Sequence, residues 1–225
     1  MVTGAGTGIG KATAVRLAEE GHSILLVGRR EGPLKQTLAE LVGEDHTVLP
    51  VDVSNRRAFH SALFGILGEP GKGEMELVGV FANAGIGGSN SFDIDDSNDR
   101  WDEILRINVT GVYVTLQVCR PYLKASSREI THAVATSSVL ARFGVPGQSA
   151  YVTSKTAVLG LVRSLAIEWG EDGILVNAIC PGWVDTEMAR ESIQRMADAQ
   201  GLSFTECHAQ QCAVLPTGKM SSPEE

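Results

Sequence analysis

The stretch Thr3-Gly4-Ala5-Gly6-Thr7-Gly8-Ile9-Gly10 stands at the start of the first helical pattern of the chain, residues 9–20. Glycines in such a turn permit strained backbone geometry and let the backbone come close to a ligand. The start of the following helix offers unpaired N–H groups and the positive end of a helix dipole, which together favour an anion. Two interpretations stay open, a pyrophosphate-binding turn and an ordinary tight turn, because the TGxxxGxG spacing differs from the common GxGxxG dinucleotide fingerprint.

Short apolar runs alternate with longer helical patterns along the rest of the chain. The runs are rich in β-branched residues and apolar on both faces, as strands buried between two helical layers must be. They cover residues 22–28, 46–53, 76–85, 131–138 and 174–179. The helical patterns lie near residues 9–20, 31–43, 55–67, 101–125 and 149–172. This alternation predicts an α/β fold, a doubly wound parallel sheet of the Rossmann type in one domain of residues 1–225, with ligands beyond the carboxyl ends of the strands.

Composition and charge limit the classes of partner. The chain has 225 residues and a formal net charge of −8, and an acidic surface repels nucleic acid and anionic lipid, so we expect neither as a partner. No uncharged apolar run is long enough to span a bilayer, and residues 1–2 lead straight into the glycine turn, so we expect a cytoplasmic protein without a signal peptide. The four cysteines are expected to be reduced. Cys207, His208 and Cys212 fit no common zinc spacing, so no metal site is expected.

Two predicted strand ends carry charged residues that suit a dinucleotide. Folds that prefer NAD usually place a carboxylate about 20 residues after the glycine turn, where it accepts from the ribose 2′-hydroxyl. Here Gly28 occupies that position and Arg29 follows, and a guanidinium suits a 2′-phosphate. We therefore predict that NADP is preferred over NAD; the alternative is that Arg29 and Arg30 form a solvated pair. Asp52 could bond an adenine amino group or cap the next helix.

Tyr151 and Lys155 fall in the first turns of the long helix predicted from residue 149. They are four positions apart, so the phenol and the ammonium project from one helix face. Lys155 is the only charged residue from Tyr151 through Val162, and a lone charge on an apolar helix either snorkels to water or is functional. A nearby ammonium is expected to lower the pKa of the tyrosine and make it a usable acid or base near neutrality.

Six motifs follow one another at spacings that are far more specific together than any one of them alone. They are the glycine turn at 3–10, Asn83-Ala84-Gly85, Asn108, Ser138, Tyr151-x-x-x-Lys155, and the segment NAICPGWVDTEM at 177–188. In this order the chain resembles the classical short-chain dehydrogenase/reductase family over nearly its whole length, and the 3-oxoacyl-acyl-carrier-protein reductases within that family.

The resemblance implies an oxidoreductase that transfers hydride between NADP(H), alternatively NAD(H), and a small-molecule carbonyl or secondary alcohol. It implies that Tyr151 is the general acid in carbonyl reduction and the general base in alcohol oxidation. Lys155 would hold the nicotinamide ribose and lower the Tyr151 pKa. Ser138 would polarise the substrate oxygen, and Asn108 would hold a water of the proton relay.

The resemblance also assigns a set of residues to the cofactor, from the pyrophosphate to the nicotinamide. These are Gly4, Thr7, Gly8 and Ile9 in the turn (Gly8 and Ile9 at the pyrophosphate), Arg29, Asp52 and Val53 (the last two at the adenine), Asn83, Ala84 and Gly85 on the adenosine side, Tyr151 and Lys155, and Pro181, Gly182, Val184 and Thr186 at the nicotinamide end.

Two further features bear on substrate and assembly. Residues 188–219 are helical in pattern and are expected to form a substrate lid within the domain. Ser154, Ala157, Gly160 and Ser164 form a stripe of small residues on the long helix. The resemblance implies a homodimer or homotetramer built there; the alternative is that the stripe packs on the chain's own sheet.

Both ends of the chain depart from the family pattern. Only residues 1–2 precede the glycine turn, where a central strand of about five or six residues is expected, and its loss would leave unpaired backbone on both neighbouring strands. Residues 221–225 have the pattern of a helix start with no helix after it. We therefore expect a chain truncated at its first and last strands. The alternative to an enzyme is a cofactor-binding but inactive fragment or a redox-sensing regulator.

Overall fold

Six parallel strands form the sheet in the computed structural model, which describes residues 1–225. They are β1 (Val2–Thr3), β2 (Leu25–Gly28), β3 (Thr47–Pro50), β4 (Gly79–Ala82), β5 (Thr131–Thr136) and β6 (Ile174–Ile179). Their order across the sheet is β3-β2-β1-β4-β5-β6, the doubly wound arrangement that the sequence predicts. The chain reverses its direction of winding between β1 and β4, and in such sheets a ligand binds at the crevice beside this point.

Helices cover both faces of the sheet. They are α1 (Gly8–Glu19), α2 (Glu31–Leu38), α3 (Arg56–Leu67), α4 (Trp101–Leu105), α5 (Gly111–Lys124), α6 (Ser149–Glu168), α7 (Glu187–Gln200) and α8 (Phe204–Ala213). Neighbouring residues of one strand enter different cores: Leu25 and Val27 belong to the core formed with α3, α5 and α6, whereas Leu26 belongs to the core formed with α1 and α2. Because each strand is buried on both sides, its apolar run is continuous rather than alternating.

The helix predicted at 101–125 is interrupted in the structure. Between α4 and α5, residues Arg106–Thr110 form a π turn, in which the Gly111 N–H donates to the Arg106 carbonyl five residues back. π turns of this kind are rare and occur often at functional sites. The turn contains Asn108, which the sequence places in an unbroken helix.

The central strand is short but paired on both sides. Val2 is in register with Leu26 of β2 and with Phe81 of β4, and Thr3 is in register with Val27. The Phe81 N–H also donates to the Met1 carbonyl at 2.9 Å. The predicted unpaired backbone on both neighbouring strands is therefore wrong at these positions.

The segment that the sequence assigns to a lid consists largely of α7 and α8. The two helices enclose a small core of their own, made by Ile193, Ala197, Cys207 and Met220. Ser221 pairs with Val184 in an isolated parallel bridge, and the Ser222 N–H donates to the Glu225 carboxylate at 2.8 Å, one half of a capping box. The helical pattern of the segment is thus present, and its role as a lid stays a prediction.

Candidate active site

The N-terminal turns of α6 carry Tyr151 and Lys155 to the carboxyl edge of the sheet. Lys155 is only 4% exposed, and its Nζ lies 5.6 Å from the centroid of the Tyr151 ring. Nζ donates to the Thr136 carbonyl, the last of β5, at 2.9 Å. Burial lowers the pKa of Lys155 to about 8, so the ammonium form still predominates at neutral pH.

The pKa of Tyr151 differs from the sequence-based expectation. Burial of the phenol raises its pKa, and the hydrogen bond with the Ser138 hydroxyl offsets this only in part. The expected lowering by Lys155 does not appear: burial, which disfavours the phenolate, and the bond with Ser138 are the causes that act on this pKa, and the ammonium is not among them. Tyr151 is therefore a protonated phenol at neutral pH, which is the form that a general acid requires.

Ser138 is the second residue after β5 and lies beside the start of α6. It is buried, and its hydroxyl accepts from the Leu140 N–H at 3.1 Å. The adjacent Ser137 hydroxyl donates to the Lys155 carbonyl at 2.8 Å. The Ser137 bond joins the end of the strand to α6, and the Ser138 bond fixes the turn after the strand, so that Ser138 stays beside Tyr151.

Asn108 is fully buried in the π turn and bonds the loop that follows β4. Its Oδ1 accepts from the Ile86 N–H at 2.8 Å, and its Nδ2 donates to the Ile86 carbonyl at 2.9 Å and to the Ser154 hydroxyl at 3.1 Å. The side chain is thus used by protein partners. Both N–H groups of the amide are occupied by these bonds, and the expected role of Asn108 in holding a water stays a prediction.

Gly85 marks the point where these elements meet. A Cβ at this position would lie 3.1 Å from Asn108 Oδ1 and 3.5 Å from Lys155 Nζ. The π turn, the end of β4 and α6 are therefore in mutual contact here, and a side chain at residue 85 would fill the space beside the lysine.

Asn83 and Ala84 connect the central strands. Asn83 Nδ2 donates to the Thr3 carbonyl at 3.2 Å, and its Oδ1 accepts from the Thr136 hydroxyl at 3.1 Å. The backbone N–H groups of Asn83 and Ala84 both donate to the Thr3 hydroxyl at 3.0 Å. These two residues thus hold the strand ends together. Their contact with a cofactor stays a prediction.

The glycine turn has the features that a pyrophosphate requires. Gly4 and Gly8 have φ of +67° and +52°, values that side-chain-bearing residues rarely adopt. A Cβ at Gly10 would collide with the Gly4 carbonyl oxygen, so the turn can close only around glycine. The Thr7 side chain does not cap α1, and no acidic residue stands in the first turn, which leaves the positive helix end to an anion. Ile9 packs beside the core under α1.

Arg29 and Asp52 lie at the ends of neighbouring strands and differ in their partners. Arg29 is exposed and forms no ion pair, whereas the adjacent Arg30 lies 3.9 Å from Glu187. Asp52 accepts from the Ser54 N–H at 2.8 Å and pairs with Arg106 at 3.3 Å. Although its burial acts in the opposite direction, these bonds hold the pKa of Asp52 below its usual value.

The structure excludes one of the two roles that the sequence leaves open for Asp52, the capping of the next helix. Asp52 does not cap α3, because the cap is Asn55, whose side chain accepts from the Ala58 N–H at 3.1 Å. The Val53 side chain is buried in the core formed with α3, α5 and α6, so only the backbone of this residue can reach a ligand.

The segment after β6 closes the other side of the crevice. The Pro181 carbonyl accepts from the Val139 N–H at 3.0 Å, and Gly182 is exposed. Thr186 caps α7 through its hydroxyl, which accepts from the Ala189 N–H at 3.3 Å. Its Cγ2 would lie 3.0 Å from a Cβ at Gly8, so the start of α7 faces the glycine turn.

Cys207, His208 and Cys212 of α8 lie outside this arrangement. All four cysteines are free thiols. Cys207 is buried between α7 and α8, and the Cys212 sulfur lies 3.8 Å from the nearest ring nitrogen of His208.

Several residues have a part in the site that sequence reasoning did not assign. Thr136 lies in no motif and anchors the lysine through its backbone, and Thr3, although it begins the glycine turn, holds the end of β4 through its hydroxyl. Both are polar residues at the ends of buried strands, a signal that sequence reasoning could have used. Arg106 and Asn90 make their contacts only through the tertiary fold, and nothing in their local sequence indicates them.

Comparison with known proteins identifies the family. The sequence profile of the family described as short chain dehydrogenase matches residues 1–197. The chain belongs to this family. A curated relative, the 3-oxoacyl-[acyl-carrier-protein] reductase FabG of Aggregatibacter actinomycetemcomitans, is 31% identical over an alignment of 229 positions, which covers 100% of this chain and 86% of that protein.

Two solved structures share the fold closely. A variant of actinorhodin polyketide ketoreductase solved with NADPH is 30% identical with a TM-score of 0.87, covering 99% of this chain and 84% of that one. An NAD⁺-bound xylitol dehydrogenase is 27% identical with a TM-score of 0.88, covering 99% and 86%.

The family membership establishes the broad activity. This short-chain dehydrogenase is an NAD(P)-dependent oxidoreductase that acts on a carbonyl/alcohol pair of a small molecule. None of its helices is both long enough and apolar enough to cross a lipid bilayer. The cytoplasmic location stays a prediction.

Proposed function

We propose that this short-chain dehydrogenase transfers hydride between NADP(H) and a ketone or secondary alcohol at a site made of Ser138, Tyr151, Lys155 and Asn108. One observation carries the proposal. The four side chains come from the residues just after β5, from α6 and from the π turn, and they lie near one another at the carboxyl edge of the sheet, beside the point where its winding reverses.

The chain's own residues supply the proton and position the substrate. When bound, a reduced nicotinamide supplies the hydride. The Tyr151 phenol, kept protonated by burial, donates its proton to the substrate carbonyl oxygen while the carbonyl carbon is reduced, and the product is the secondary alcohol. The Ser138 hydroxyl donates a hydrogen bond to the same oxygen and stabilises the charge that develops there. In alcohol oxidation the proton returns to Tyr151.

Lys155 and the glycine turn would hold the cofactor. The lysine uses one N–H on Thr136, which leaves its other N–H groups for the ribose hydroxyls. The uncapped start of α1 would hold the pyrophosphate. Arg29, exposed and without an acidic partner, would bind the 2′-phosphate.

The activity is tested by following NADPH absorbance with ethyl acetoacetate and trans-1-decalone as ketone probes, and NADP⁺ reduction with xylitol. We expect turnover with at least one probe, and saturable NADPH binding in a fluorescence titration. NADPH binding without turnover of any probe would instead favour the inactive, cofactor-binding alternative.

Arg29→Ala should weaken the preference for NADP. Hydrogen bonds to charged groups contribute about 1.5–3 kcal/mol, so we expect the wild type to use NADPH at least about tenfold more efficiently than NADH, and the variant to lose most of this difference. The measurement is kcat/KM with both cofactors and one ketone probe. Arg30→Ala is the matched control, because Arg30 is adjacent and lies near Glu187 instead. An equal or better kcat/KM of the wild type with NADH contradicts the assignment.

We propose that α6 also forms the interface of a dimer. Gly160 and Ser164 of the small-residue stripe are exposed, as is Ile167 on the same face of the helix, whereas Ser154 is buried against Asn108. Close packing of two α6 helices would cover these residues. We expect sedimentation equilibrium to give the mass of two or four chains, and Ile167→Glu to lower it. A wild type that is monomeric at working concentration is inconsistent with the proposal.

A further inference from the structure

The start of α6 is held by a residue from a distant loop. Asn90 lies in the loop between β4 and α4, and its Oδ1 accepts from the Ala150 N–H at 2.8 Å. The Ser149 hydroxyl lies 2.9 Å from Asn90 Nδ2 and 3.1 Å from Oδ1. A backbone bond adds to these, since the Asn90 N–H donates to the Gly147 carbonyl at 3.1 Å.

These bonds replace a cap that α6 lacks. The residue at the cap position, Gln148, makes no side-chain bond to the helix, and a helix start leaves its first N–H groups without partners. Ala150 is fully buried, so water has little access to its N–H, and an unsatisfied donor there would be unfavourable. Asn90 satisfies it from outside the helix, at the residue immediately before Tyr151.

The loop that carries Asn90 is itself tied to the active site. Its first residues are bound by Asn108, which bonds both the N–H and the carbonyl of Ile86. The next carbonyl, that of Gly87, accepts from Arg100 at 3.1 Å. The loop therefore has fixed contacts beside Gly85 and at α6, and Asn90 is its direct link to the helix.

We infer that Asn90 is a positioning residue, which holds the first turn of α6 so that the Tyr151 phenol faces Ser138. The inference rests on the proposed function, since the phenol is the group whose position matters. Asn90 touches neither the reacting atoms nor a cofactor-binding residue. Its loss should therefore act on kcat and leave cofactor affinity unchanged, because the glycine turn and Lys155 are held by other bonds.

The test compares Asn90→Ala, Asn90→Asp and Asn98→Ala with the wild type, using NADPH and trans-1-decalone. Asn90→Ala is expected to lower kcat about tenfold, with the dissociation constant for NADPH within about twofold of the wild type. Asn90→Asp keeps an oxygen for the Ala150 N–H and adds a negative charge at a helix start, so kcat should recover to within about threefold. Asn98, on the same loop but exposed, should be replaced without effect.

Hydrogen exchange of the peptide containing residues 149–152 gives a readout independent of turnover. We expect faster exchange in Asn90→Ala than in Asn98→Ala, and near-wild-type exchange in Asn90→Asp. Equal kcat and equal exchange for the two alanine variants would overturn the inference, as would a kcat loss that Asn90→Asp does not restore. If a Tyr151 variant kept its turnover, the proposed function would fail, whereas the exchange result would still report on the contact of Asn90 with α6.

Discussion

Tyr151→Phe is expected to lower kcat about a thousandfold, within the range of general acid catalysis, while NADPH binds as in the wild type. The substitution removes one oxygen and keeps the ring, so the packing over Lys155, 5.6 Å from the ring centroid, is preserved. The Tyr151 hydroxyl is hydrogen-bonded with Ser138, and because burial keeps the phenol protonated, it can give a proton at neutral pH. The measurement is single-turnover NADPH oxidation with a ketone probe, alongside a fluorescence titration with NADPH.

The other two tyrosines of the chain provide matched controls. Tyr113 is 39% exposed on α5, so Tyr113→Phe should leave both activity and stability unchanged. The Tyr122 hydroxyl donates to the Gly68 carbonyl at 3.0 Å away from the site, so Tyr122→Phe should change stability slightly and turnover little. Turnover by Tyr151→Phe within tenfold of these controls would refute the assignment of the acid.

The sheet was predictable because each of its strands is buried on both faces. The runs at 131–138 and 174–179 correspond to β5 and β6, and the second has the same bounds in the structure. Periodicity cannot give the ends of the shorter strands: the run at 76–85 contains only four strand residues, Gly79–Ala82, because the residues that follow them, Asn83 and Ala84, turn to bond the Thr3 hydroxyl. The sequence also did not indicate that residues 1–3 are enough to form the central strand. Two strand residues suffice there because β2 and β4 pair with them on either side.

The motifs indicated which side chains meet, but not their electrostatics. Sequence reasoning considered the ammonium beside Tyr151 and not the burial of the phenol, and burial depends on contacts from the whole fold. Similarly, the Asp52 carboxylate is not free, because Arg106 reaches it from the π turn 54 residues along the chain. Such long-range pairs depend on the topology of the fold, so no local sequence pattern predicts them.

Asn108→Ala is expected to lower both activity and stability, because one side chain joins three parts of the site. The alanine would leave the Ile86 N–H and carbonyl without their side-chain partners and the Ser154 hydroxyl without a donor. Lost bonds to groups that are poorly hydrated cost about 1–3 kcal/mol each, and part of this is recovered where water can enter, so we expect a loss of about 2–3 kcal/mol. For a chain of this size that is a decrease in Tm of roughly 5–10 °C.

Asn108→Ala is also expected to lower kcat, and by more than the loss of stability alone would cause. Freed from Asn108, the loop at Gly85 and Ile86 can move relative to Lys155, whose Nζ is 3.5 Å from the position of a Cβ on Gly85. A displacement of about 1 Å between reacting groups can cost about a hundredfold, so kcat should fall by that order. Ser154→Ala is the matched control: it removes one partner of Asn108 and keeps both bonds to Ile86, so it should retain kcat within about threefold. If Asn108→Ala instead matches Ser154→Ala in kcat and in Tm, then the loop is held by other contacts and Asn108 has no part in aligning the site.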